Sequence, residues 1–380
     1  MKSVALTYSK AAGWQAASGS SLSRTDLVLF FGARDALATP DCYDALRAHF
    51  PDAHLLGCST GGQIHSGDLV DDEVAAIAMQ FDKTKVALAC APASDPSQSR
   101  TCGTTIARAL AADDLAGVFV LSDGLNVNGS ELVRGISDVV SANVTITGGM
   151  AGDGAKFETT LVGGDCAPQS HLVAAIGFYG DAIRIGHGSA GGWDEFGPRR
   201  RITRSHGNVL YELDGEPALD LYKRYLGEEA AGLPGTALLF PLRIRDPQTP
   251  GHDLVRTILA VDHDARSMTF AGDIPQGWSA QLMRGNFDRL AAGAADAARQ
   301  AAAGIDETDN GVAILVSCIG RRLLMGQRTT DEVEAAAAEL GPRMPRVGFY
   351  SYGEISPHGK AGVCQLHNQT MTVTAITEAA

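Results

Sequence analysis

The 380-residue chain sets 31 Lys and Arg against 44 Asp and Glu, a formal charge of −13, which repels phosphate backbones and acidic headgroups and so argues against nucleic-acid or membrane partners. Hydrophobic residues at 45% and charged residues at 20%, with no apolar run of membrane-helix length, exclude disorder and a spanning helix and suggest two domains or one large repeated assembly. The N-terminal apolar patch ends at Leu6, too short for a signal-peptide core, and the seven scattered cysteines include no CxxC pair, so a cytoplasmic chain with reduced thiols is expected.

In chain order, the first element is an unalternated apolar run at 26–32, as in a strand buried on both faces. A helical stretch follows at 40–49, then a second short strand running into a glycine turn at 57–64, and a closing apolar strand at 74–81. The same order returns at 117–122, a helix over 128–140, a looser glycine turn at 148–153 and a closing strand at 172–179. It returns again at 311–317, followed by a helix over 330–340 with Thr330 as its cap and Gly341-Pro342 as its stop. There the glycine turn 348–355 aligns without gaps on 57–64, and 363–376 closes the unit. Strand, helix, strand, glycine turn, strand is a βαβ crossover with one strand appended. It predicts an α/β fold of mixed or parallel sheets with covering helices in two domains: 1–215 with two units, and 216–380 with the third unit plus a helical insertion. Between units two and three, the stretch 192–198 reads as turn-rich. A helix near 217–226 begins with Pro217 and ends at Gly227, and an Ala-rich helix near 279–303 reads as a packing layer.

Several motifs carry chemistry formally. Gly57-Cys58-Ser59-Thr60-Gly61 has the GxSxG form of a nucleophile elbow, which makes a Cys58- or Ser59-dependent enzyme the alternative function. Gly62, Gly67 and Asp68 disfavour the helix an elbow needs, and the residues matching Ser59 in the other copies are Met150 and Tyr350, which cannot attack an acyl group. Cys58 is flanked by small residues that would leave it reachable, yet no neighbouring base lowers its pKa. The 186–191 run reads GxGxxG but lacks the following helix of a dinucleotide site. Cys364 and His367 fall on opposite faces of a strand, so joint metal coordination is not expected. The Arg199 to Arg204 run matches carboxylate or propionate oxygens, against the commoner explanation of a solvated face.

Taken together, the turn 57–64, the run 147–154, Gly191-Gly192-Trp193, the segment 207–215, Gly272-Asp273-Ile274, Gly353-Glu354-Ile355 and 366–370 make the chain resemble the FIST family, with its N-terminal and C-terminal FIST domains, nearly end to end. The resemblance implies a bacterial sensory protein that binds a small ligand, and one branch resembles haem-binding nitric oxide sensors. It implies haem b as a cofactor, with His187 or His367 as axial ligand, and a histidine kinase or cyclic-di-nucleotide enzyme as a partner acting in trans. The ligand-holding residues expected on this basis are His187, His367, Arg200, Arg204 and Trp193, together with Gly57, Cys58, Ser59, Gly149, Tyr350, Tyr352 and Glu354 on the glycine turns, which are expected to rim the pocket.

Overall fold

Each apolar run alternates its side chains between two packed layers, and this fixes the architecture. In the computed structural model, which describes residues 1–16, 22–249, 253–305, 311–358 and 362–379, the first unit comprises β1 (Lys2–Ser9), β2 (Gly13–Ala16), β3 (Leu27–Ala33), α1 (Arg34–Leu37), α2 (Pro40–His49), β4 (His54–Thr60), β5 (Gln63–His65), β6 (Asp68–Val70) and β7 (Val74–Gln80). The second comprises β8 (Lys85–Pro92), α3 (Ser99–Leu110), β9 (Leu115–Ser122), α4 (Gly129–Ser137), β10 (Thr145–Met150), β11 (Val162–Gly164) and β12 (Leu172–Tyr179). The third opens with β13 (Ile183–Ala190). It is interrupted by β14 (Trp193–His206), β15 (Val209–Leu213), β16 (Glu216–Pro217), α5 (Ala218–Leu226), β17 (Leu242–Arg245), β18 (Asp253–Arg256), β19 (Ile258–Asp262), β20 (Ser267–Phe270) and β21 (Ser279–Gly285). It resumes with α6 (Phe287–Ala302), β22 (Gly311–Cys318), α7 (Ile319–Met325), α8 (Thr329–Leu340), β23 (Arg346–Ser351), β24 (Gly353–His358), β25 (Val363–His367) and β26 (Met371–Glu378).

The three units form three six-stranded sheets of the same design. In each, the first and second strands run parallel: β3 with β4, β9 with β10, β22 with β23. The closing strand returns antiparallel to the first: β7, β12, β26. The units also exchange arms in a ring. β5 of unit one pairs with β23 of unit three, β24 of unit three with β10 of unit two, and β11 of unit two with β4 of unit one. Leu29, Phe31, Phe119, Leu121, Ile314 and Val316 pack in one core shared by the three sheets. The alternate residues Val28, Phe30, Val118, Val120, Ala313 and Leu315 face the outer layers, where helices cover each sheet. The interrupting segment builds a separate antiparallel sheet, β18-β17-β21-β14-β15-β20-β19, with its own core beneath α5.

Four local expectations are corrected. Residues 279–285 are strand β21, not the start of the Ala-rich helix, because Ala280 and Leu282 alternate into the small core; the helix begins after its Asn286 cap. Residues 193–198 belong to strand β14, held by β21 through a register shift between Phe196 and Arg200 that accommodates the glycine and proline. The run 363–376 is two strands, β25 and β26, which belong to different sheets. Thr330 lies inside α8, whose N-cap is Arg328 with no side-chain cap. Gly186 and Gly188 lie within β13, where an added Cβ would stand 2.0 and 1.9 Å from the Ala301 and Ala297 carbonyl oxygens, so their lack of side chains lets α6 lie against the sheet.

Candidate functional site

The three glycine turns do meet. The amide of Gly61 donates to the Tyr350 carbonyl at 2.8 Å, Gly152 to Ser59 at 2.9 Å and Tyr352 to Met150 at 3.2 Å, a closed ring of equivalent hydrogen bonds linking the units. Within the ring the Ser59 and Tyr350 side chains are sealed, at 0% exposure. Ser59 Oγ accepts the Leu161 amide, and Tyr350 donates to Glu332. The turns rim hollows at two places: Met150 and Tyr352 reach the neighbouring cleft, and Thr60, Gly61, Gly62 and Asp153 line a smaller, charged hollow.

That cleft, about 270 Å³, lies beyond the C-terminal ends of β9 and β22 and under the small sheet. Its floor is the loop after β9, with Gly124, Leu125 and Asn128, and the start of α7, with Ile319 and Gly320. The small sheet supplies Asn208, Leu238, Thr257, Leu259 and the 270–272 segment. Buried Asp123 pins the β9 loop by accepting the amides of Leu125 and Asn126 at 2.8 and 2.9 Å and that of His171 at 2.8 Å. Gly124 lets this loop touch the glycine turn, since a Cβ there would stand 1.9 Å from the Ala151 carbonyl oxygen. Asn128 caps α4 through Oδ1 and donates from Nδ2 to Asp273 at 3.1 Å. Arg134 also reaches Asp273, at 3.0 Å, and Arg256 donates to the carbonyls of Asp273 and Leu366 at 3.1 and 3.0 Å. These bonds fasten the small sheet to the body on one side of the cleft.

Two other hollows open on the described surface. One of about 530 Å³ opens between β1 and the end of α2 and is lined in part by Ala16 and Leu22. The other, about 220 Å³, is lined by the mixed charges of Arg34, Asp35, Asp71, Asp72, Lys156 and Arg322, of which Arg34 and Lys156 pair with Asp35 and Arg322 with Asp71. Of the three, only the 270 Å³ cleft is also walled by the small sheet, and it lies beyond strand ends, the position where open α/β sheets hold ligands.

Of the expected ligand residues, Tyr352 alone lines this cleft. Cys58 is 0% exposed, contrary to the expected reachability, because β4 is covered on both faces, and burial pushes its thiol pKa well up. Gly57 and Gly149 are packing positions where a Cβ would strike Phe30 and Val316 respectively. Glu354 is buried, accepting from Ser351 and Thr370 at 2.7 and 2.9 Å, and burial pushes its carboxyl up to about 8. His187 sits on edge strand β13 opposite Thr374, with its pKa lowered by burial. His367 is 1% exposed, with Nε2 3.0 Å from the Ser356 carbonyl. Trp193 donates Nε1 to the Gln369 carbonyl at 2.7 Å. Arg200 is engaged by Tyr225 and Asp214, and Arg204 by Glu212 and the Tyr211 ring, on the small sheet. Neither histidine lines any of the three hollows, so the residues of this cleft do not fit a histidine-ligated haem.

Maleimide labelling of the native protein is expected to modify exposed Cys90 and to spare Cys58 until the fold is denatured. Peptide mass spectrometry reads both, and rapid labelling of native Cys58 would revive it as a nucleophile.

Some of the cleft residues missed in the sequence carried a signal: Gly124, Leu125, Ile319 and Gly320 follow the carboxyl ends of the two first strands β9 and β22, and Gly272 lies in Gly272-Asp273-Ile274.

Family models of the FIST N domain and the FIST C domain match residues 26–216 and 218–357. An uncharacterized protein of Methanocaldococcus jannaschii is 25% identical over 338 residues, covering 80% of this chain and 62% of its own length. This chain thus spans under two thirds of that relative. No helix among the described residues is long and apolar enough to cross a membrane.

Proposed function

Because the chain belongs to the FIST family, with both the N and the C domain present, we propose that it is a sensor whose small ligand binds in the cleft between the small sheet and the strand ends of β9 and β22. FIST domains are sensory domains that bind small ligands in signalling. One observation carries the placement: the cleft is the hollow at which segments of two repeat units and the small sheet converge. A ligand held there touches both the three-sheet body and the small sheet, so it stabilises whichever relative placement of the two gives it more contact. Output passes to a separate histidine kinase or cyclic-di-nucleotide enzyme, a partner class supported by the family resemblance. The alternative of a Cys58- or Ser59-dependent enzyme draws no support from side chains sealed in the core.

Ala271→Trp tests the placement. Ala271 is half-buried on the cleft wall, and an indole there fills much of the space. Native mass spectrometry of the protein as isolated is expected to show a small-molecule adduct on the wild type and none on the variant, with circular dichroism unchanged. An adduct retained at full occupancy by Ala271→Trp would place the ligand elsewhere.

A further inference from the structure

The chemistry of the cleft limits what it can hold. Among the described residues lining it there is no Asp, Glu, Lys, Arg or His. Its two titratable lining groups are kept neutral: burial pushes the Cys318 thiol and the Tyr352 hydroxyl above their ordinary values. The charges just behind the wall are already engaged. Asp153 accepts from Tyr352 and from three backbone amides at 2.9 Å, Asp273 holds Asn128 and Arg134, and the Arg256 guanidinium is bonded to backbone carbonyls. An ion entering here would shed hydration without meeting an opposite charge, which weakens its binding.

The lining suits another class of molecule. Phe157 lies on Tyr352 with ring centroids 4.6 Å apart and planes 16° from parallel, and together they form an aromatic wall. Phe157 and Leu259, at 40% and 47% exposure, are two of the four large exposed hydrophobic residues described, and both stand on this cleft. Polar capacity is sparse and neutral. Asn208 donates Nδ2 to the Phe270 carbonyl, leaving Oδ1 to accept, and the hydroxyl of Thr257, a residue 3% exposed, has no partner among the described residues. A buried hydroxyl left unpaired is unfavourable, and a ligand group that satisfies it gains that difference.

We propose that the cleft selects a flat, uncharged organic molecule, placed along the Phe157 and Tyr352 wall and hydrogen-bonded by Asn208 and Thr257, and that it rejects carboxylates and ammonium ions of the same shape. This rests on the cleft being the ligand site, and it sets free amino acids, which carry two charges, outside the ligand class.

Three probes of one shape test it: 2-naphthamide, 2-naphthoate and 2-naphthylmethylammonium, titrated by fluorescence into the full-length wild type, Ala271→Trp and the rim variant Leu259→Glu, whose exposed position keeps folding out of question. The amide is expected to bind the wild type at least about tenfold more tightly than either ion, to weaken in Leu259→Glu and to be lost in Ala271→Trp. If an ion binds the wild type as tightly as the amide and is lost in Ala271→Trp, the site stands and the uncharged class is overturned. Amide binding undiminished in both variants removes the cleft as the site and this inference with it. Failure of all three probes to bind at millimolar concentration overturns the flat-ligand class.

Discussion

Glu332→Ala is expected to destabilise the protein by about 3–5 kcal/mol. Glu332 and Arg321 are both 0% exposed and meet at 2.6 Å. The other carboxylate oxygen accepts Ser317 Oγ and the Tyr350 hydroxyl, each at 2.8 Å. The guanidinium in turn donates to the carbonyls of Gly191 and Leu290, so one ion pair ties α8, α7, β22 and β23 to the entry of the small sheet. Removing the carboxylate leaves a cation without water or counter-charge, which is why breaking such a pair is worse than never having it. The double replacement Arg321→Met with Glu332→Leu is accordingly expected to be more stable than Glu332→Ala. Thermal unfolding of the three proteins checks this, and a single variant as stable as the wild type would mean that water reaches the pair.

The second large effect falls on three glycines at equivalent places in the repeat. Gly57, Gly148 and Gly348 lie opposite Phe30, Val120 and Leu315 on the parallel neighbouring strand. A Cβ at each would stand 2.2, 1.9 and 2.1 Å from the carbonyl oxygen of that partner. Backbone cannot swing aside as a side chain can, so alanine forces the two central strands apart and weakens their hydrogen bonds. Each substitution is expected to cost about 1–3 kcal/mol from overpacking. Gly148→Ala is expected to cost the most, because its φ of +145° adds backbone strain of about 1–3 kcal/mol. Gly67→Ala, with nothing within 4 Å of the added methyl, serves as the control and should be near neutral. Denaturant unfolding midpoints measure all four, and three silent strand variants would show that the sheets are not packed as closely as described.

Those same glycines explain how much could be read beforehand. The first strands, their helices and the closing strands 74–81 and 172–179 were legible because burial on both faces leaves an unbroken apolar run. The gapless match of 57–64 with 348–355 was legible because close strand approach admits no Cβ at Gly57 or Gly348. The match therefore reports packing, and the side chains it points to, Ser59, Tyr350 and Glu354, are sealed in the core. The exchanged arms were not legible: Gln63–His65 and Val162–Gly164 are three-residue strands, too short for a period, and their partners lie in other units. The small sheet was hidden for a different reason. In Trp193–His206 the bulge between Phe196 and Arg200 admits the glycine, proline and arginines that read as a turn. The cleft itself draws short segments far apart in sequence, represented by Gly124, Thr257, Phe270 and Gly320, which only the docking of the small sheet brings together.

The most direct measurement is a crystal structure of the protein as isolated, without added ligand. Density for a small molecule is expected between the Phe157 and Tyr352 rings and the Thr257 to Phe270 wall. An empty cleft with a bound molecule elsewhere, for instance against His187, would contradict a ligand held between the body and the small sheet.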